Sequence, residues 1–118
     1  MQYMLLIYSE EGALAAMTQA RIQAVMGAFQ AFTGALVAAG AMVSGDRLQP
    51  TASATTVRAS GGEVQIHDGP FGETKEQLGG YYVIEAPDLD AALAWAKQCP
   101  AIQYGSVEVR PVFEMPQA

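Results

Sequence analysis

One cysteine, one histidine and one tryptophan are all that 118 residues contain of those types. Cys99 alone cannot close an internal disulfide, and Cys99 with His67 cannot supply the ligands of a transition-metal centre. Cations are also scarce. Arg21, Arg47, Arg58, Lys75, Lys97 and Arg110 are scattered among twelve acids, for a formal charge of −6. Nucleic-acid surfaces need clustered Lys and Arg, so no nucleic-acid partner is expected. No apolar run approaches the ~20 residues of a membrane span. Met1-Gln2-Tyr3 lacks the basic start and long apolar stretch of a signal peptide. The expectation is a cytoplasmic protein with no membrane partner. No cofactor and no metal are expected, with a carboxylate-bound Mg²⁺ at Asp68, Glu73 and Glu76 as the one exception left open.

What the sequence does have is apolar content. Hydrophobic residues make up 51% and charged residues 15%. A small domain has much surface to cover, so this balance suggests that part of the surface is buried by self-association. The length fits one domain over 1–118.

Residues 3–8 (Tyr-Met-Leu-Leu-Ile-Tyr) read as a buried strand. Residues 9–17 read as a loop or short helical turn. Thr18 can cap a helix to about Ala39, with Ile22, Val25, Met26, Phe29, Phe32, Leu36 and Val37 as its apolar face and Gly40 as its stop. Met42-Val43 begins an extended stretch. Residues 55–58 and 64–67 form a hairpin around Gly61-Gly62. A loop over 68–80 leads into a strand over 80–85. Asp88 caps a second helix whose inward face is Leu89, Ala92, Leu93 and Ala96, and Pro100 ends it. Val107, Val109 and Val112 mark the last strand. The fold class is therefore α+β: a ferredoxin-like βαββαβ pattern with an extra hairpin.

Such a sheet carries helices on one face only, so the other face should alternate to polar. It does not. Tyr3, Leu5 and Ile7 oppose Met4, Leu6 and Tyr8, and Tyr81 and Val83 oppose Tyr82 and Ile84. Both faces are apolar, and a second copy of the chain is the simplest cover.

Chemistry-bearing residues are densest from His67 to Tyr82. This stretch holds the sole His, Asp68, Glu73, Lys75 and Glu76, where a strand enters a loop. Rigid sheets often present functional groups on such loops. The same residues also read as turn chemistry, with Asp68-Gly69-Pro70 setting the turn and the charges solvated. His67 and Asp68 are an acid–base pair in composition, but neighbours on a strand face opposite ways. A dyad needs the strand to end at His67, or a partner such as Asp46, Tyr8 or a residue of a second subunit. Cys99, at a helix C-terminus, reads as a packing residue. Gly79-Gly80 precedes a strand and is no phosphate loop.

Asp68-Gly69-Pro70-Phe71 followed by Glu73-Thr74-Lys75-Glu76-Gln77-Leu78-Gly79-Gly80-Tyr81-Tyr82 resembles the YCII-related family, in its DGPF-type branch. The rest of the chain is similar too, from the opening strand at 1–8 to Gly105–Pro111. The resemblance implies a ferredoxin-like fold pairing as a dimeric α+β barrel, hence a homodimer. It implies a His–Asp site proposed for the wider group, in which one relative eliminates chloride from a hydroquinone. Asp68 falls on the motif, while His67 stands at a position that varies in this branch.

Two functions follow. One is an enzyme that isomerises a small aromatic or cyclic substrate or eliminates a group from it. Asp68 and His67 would be catalytic, with Glu73, Lys75, Tyr8 and Arg110 binding the substrate in a cleft between the sheet and the dimer partner. The other is a non-catalytic module that binds a small-molecule ligand or a sigma factor. The resemblance suggests the latter partner, because genes of this branch tend to neighbour those for extracytoplasmic-function sigma factors.

Overall fold

A computed structural model describes residues 1–70, 72 and 74–115. The chain runs β1 (Gln2–Ser9), α1 (Glu11–Ala15), α2 (Gln19–Ala38), β2 (Met42–Arg47), β3 (Thr55–Ser60), β4 (Glu63–Asp68), β5 (Gln77–Glu85), α3 (Leu89–Ala96) and β6 (Gly105–Pro111). Short 3-10 turns occupy Thr51–Ser53 and Pro100–Gln103. Four strands form one antiparallel sheet in the order β2-β5-β1-β6, and β3 and β4 pair separately as a hairpin.

β1 is central because every second residue is a large apolar group on one side. Tyr3, Leu5 and Ile7 are buried toward the helices, while Met4, Leu6 and Tyr8 lie half-buried on the other face. Phe32 and Leu36 of α2, Ala92 and Ala96 of α3, Ile84 of β5, Cys99 and Ala101 complete the core. Cys99 is fully enclosed, and burial pushes its thiol pKa up. Phe32 meets the rings of Tyr82 and Trp95 edge-on, with centroids 5.3 and 6.3 Å away. Both long helices have the expected caps: Thr18 Oγ1 accepts from Arg21 N at 3.2 Å, and Asp88 Oδ1 from Ala91 N at 2.9 Å. Among the described residues no helix is long and apolar enough to cross a membrane.

Several expected details change. β5 begins at Gln77, not Gly80, because Gln77 and Leu78 pair with Ser9 and Tyr8 past a bulge at Gly79 of β5. The 68–80 loop is shorter accordingly. α3 stops at Ala96, and Pro100 opens the next 3-10 turn instead of ending the helix. Leu89 and Leu93 are exposed. The small Ala92 and Ala96 bring α3 close to the sheet, which leaves the leucines to its flank. Val37 is exposed as well, and within α2 only Phe32 and Leu36 are buried. The apolar face of α2 extends beyond the core, and its N-terminal half stands over a cavity.

The hairpin departs most from a packed element. Gly61 and Gly62, at φ 59° and 84°, make its turn with a left-handed backbone that other residues rarely adopt. Register puts Val57 opposite Ile66 and Ala59 opposite Val64, so these four share one face. Val57, Val64 and Ile66 are 64%, 72% and 73% exposed, so no described residue covers that face. The base of the hairpin is anchored. The carboxylate of Glu11 accepts from Thr51 N and Thr51 Oγ1, both at 2.8 Å.

Candidate functional site

A cavity of about 430 Å³ opens between the N-terminal half of α2 and the inner face of the sheet. Its roof is apolar: Leu14, Met17, Ile22, Val25, Met26 and Phe29. Its floor is partly backbone, because Gly45, Gly79 and Gly80 put no side chain into it. Opposite Gly80 in the register stands Arg47, and opposite Tyr82 stands Gly45. Arg47 and Gly45 therefore share the helix-facing side of β2.

Polar groups converge on this apolar space. The Tyr82 and Thr33 hydroxyls lie 2.8 Å apart and bridge β5 to α2. Burial raises the Tyr82 pKa, with the Thr33 bond opposing it. Burial raises Tyr104 too, and the nearby Arg47 charge pulls the other way. Both phenols are thus neutral near pH 7, and serve as hydrogen-bond donors rather than bases. Arg47 makes no ion pair among the described residues. Asp46 also borders the cavity from β2, but its carboxylate turns to the outer sheet face, where it accepts from the Tyr81 hydroxyl at 2.9 Å. The arrangement can hold a small, largely apolar molecule and offer donors to one oxygen-bearing edge. Pockets of ~300–1,000 Å³ with few polar groups are the usual form of a small-molecule site.

The residues singled out in the sequence are divided among three places. Tyr8 and Lys75 meet in an open hollow with Glu10, Thr74, Glu76 and Tyr104. There the Tyr8 hydroxyl donates to Glu108 Oε1 at 3.2 Å, and Lys75 Nζ is 3.8 Å from Glu10 Oε1. Desolvation and then Glu108 push the Tyr8 pKa up, while Arg110 lowers it. Arg110, paired with Met4, is exposed further along the same outer sheet face. His67 and Asp68 stand on β4, paired with Thr56 and Thr55 and pointing to opposite sides of the hairpin. Both are exposed, and neither lines the cavity. The Asp68 turn is held without its carboxylate: Gly69 N donates to Ala54 O, and Thr56 Oγ1 to Gly69 O, each at 2.8 Å. Glu73 lies outside the described residues, as does Phe71. Among the described residues no three His, Cys, Asp or Glu side chains gather as a metal site.

Sequence reasoning passed over Arg47, Thr33, Tyr82 and Tyr104 as site residues. One signal was available. Ser9 continues the buried phase of Tyr3, Leu5 and Ile7, and it is buried at the cavity edge. A polar residue in core phase marks a place where the core gives way to a site.

Known proteins bear on this geometry. The family model for the YCII-related domain matches residues 1–116. An uncharacterized protein of Rhizobium meliloti (strain 1021) is 40% identical over 114 residues, spanning 95% of this chain and 92% of the relative. A solved structure with the same fold is 5-chloro-2-hydroxyhydroquinone dehydrochlorinase (TftG) from Burkholderia phenoliruptrix AC1100, in complex with 2,5-dihydroxybenzoquinone. It superposes with a TM-score of 0.57 at 18% identity, over 98% of this chain and 96% of that one. The family match over nearly the full length and the 40% identity together place this chain in the YCII-related domain family.

Proposed function

We propose that the chain holds a small flat ring compound in the cavity under α2 and transforms it by proton transfer, in an elimination or isomerisation. The observation that carries this reading is the cavity itself, with apolar walls and donors gathered on one side. A cavity of about 430 Å³ has room for a single ring compound. Tyr82, Tyr104 and Arg47 would stabilise negative charge that develops on a ring oxygen. The Asp46 carboxylate turns to the outer face with Tyr81, so no carboxylate of the described lining faces the cavity, and water would take the proton. The dehydrochlorinase with the same fold works on a ring compound of this size, which supports the substrate class. Asp68 keeps a catalytic assignment only through the family motif, which His67 lies outside, and Asp68→Asn tests it.

The experiment is a stability screen with hydroquinones, quinones and aryl acids, run alongside halide release from halogenated hydroquinones. The reading expects ring compounds to raise the melting temperature of the wild type and not of Val25→Trp, whose indole fills the cavity. Equal stabilisation of both proteins would put the site elsewhere.

We also propose that two copies pair through the open sheet face, as a dimeric barrel of ferredoxin-like halves. Met4, Leu6, Tyr81 and Val83 make the centre of that face, with Arg110, Glu108 and Asp46 at its rim. The radius of gyration is 16.4 Å, against ~13.5 Å for a compact chain of this length. The shortest dimension is only 18 Å, the depth of one sheet and one helix layer. A two-stranded hairpin is marginal by itself, so its apolar face would gain from the same partner.

A further inference from the structure

Arg47 is not explained by the fold. It belongs to a chain of net charge −6, yet it pairs with no acid among the described residues. Its neighbour Asp46 alternates to the opposite side of β2 and is taken by Tyr81. Of the described residues lining the cavity, Arg47 is the sole cation. Across from it the partner strand carries Gly79 and Gly80, so no side chain blocks the approach to its guanidinium. A cation with no counter-ion among the described residues, beside an apolar cavity, is a binding group for an anion that brings its own apolar body. The planar guanidinium suits an oxygen anion in particular, because it offers parallel N–H donors.

We infer that the cavity selects ring compounds bearing one oxyanion, a carboxylate or a phenolate, with the charged oxygens on Arg47 and the ring beneath Val25, Met26 and Phe29. This rests on the cavity being the binding site and adds the charge of the ligand to it. The Tyr82 and Tyr104 phenols, kept protonated by burial, add donors on the same side. Neutral rings of the same size would fill the apolar walls and leave Arg47 unused.

The test uses three probes on the intact protein by titration calorimetry: benzoate, its neutral isostere benzamide, and 4-nitrophenolate. At least one anion is expected to bind about tenfold tighter than benzamide, and the tighter of the two identifies the oxyanion. Arg47→Gln should remove that gap and leave benzamide binding nearly unchanged, while Arg47→Lys should restore part of it. High salt should narrow the gap in the wild type, because Arg47 is exposed. Equal affinity for anions and benzamide would overturn the inference and leave the cavity as a site for neutral rings. A gap that persists in Arg47→Gln would also overturn it, since another cation would then read the charge. Failure of all three probes to bind would remove both this inference and the site on which it rests.

Discussion

The Thr33 hydroxyl and the Tyr82 hydroxyl meet at 2.8 Å, and this contact ties the middle of α2 to the central region of the sheet. The same Tyr82 ring stands edge-on to Phe32, one residue before Thr33. One tyrosine thus closes the core on its ring side and opens the cavity on its hydroxyl side. Tyr82→Phe keeps the ring contact and removes the bond. A cost of about 1 kcal/mol is expected, which lowers the melting temperature by about 5 °C. A melt identical to wild type would show that the bond contributes nothing to holding α2 over the sheet.

Gly45 is set by close approach. A Cβ there would lie 2.9 Å from the Tyr81 carbonyl oxygen and 3.0 Å from Tyr82 Cδ1. Gly45→Ala should push β2 from β5 at the cavity floor and cost about 1–3 kcal/mol. Denaturant unfolding reads this directly, and an unchanged midpoint would mean that the strands have slack.

Alkaline pH should destabilise the fold. Tyr82 and Tyr104 are raised from 10.0, and Cys99 from 9.0, by burial. A raised folded value means that the unfolded chain loses the proton first. Stability from these groups is fully present below the unfolded values and is lost as pH rises through the folded ones. The melting temperature should hold steady through neutral pH and fall above pH 9. Cys99→Ala should flatten the first part of that fall. A flat profile past pH 10 would contradict the burial of these groups.

Much of this was readable in the residues. The two-faced strands, the capped helices and the hairpin turn follow from alternation at Tyr3–Tyr8, from Thr18 and Asp88, and from Gly61-Gly62. The cavity was not readable. Ile22, Val25, Met26 and Phe29 have the spacing of a core face, and sequence spacing cannot separate a face that packs from one that roofs a space. Arg47 looked like one of six scattered cations, because its lack of a counter-ion among the described residues is a fact of three dimensions. The His67–Tyr82 stretch drew attention through its density of charge, and the structure spreads that density between the hairpin and an outer hollow.

The open face yields a prediction about assembly. Leu6 lies on the outer side of β1, away from the core, so Leu6→Lys should leave the secondary structure intact and dissociate a sheet-to-sheet dimer. Ile66→Lys, on the exposed hairpin face, should weaken the same dimer to a smaller degree. Light scattering across a concentration series gives both answers. A wild-type monomer, or variants with unchanged mass and dissociation constant, would rule out pairing through these surfaces.

The most direct test of the cavity as the functional site is an NMR titration of labelled protein with 2,5-dihydroxybenzoquinone. The account predicts saturable shifts gathered at Ser9, Val25, Phe29, Thr33, Arg47 and Tyr82, with Thr56, His67 and Asp68 unmoved. Shifts centred on the hairpin at His67 and Asp68, or no saturable shift at all, would contradict it.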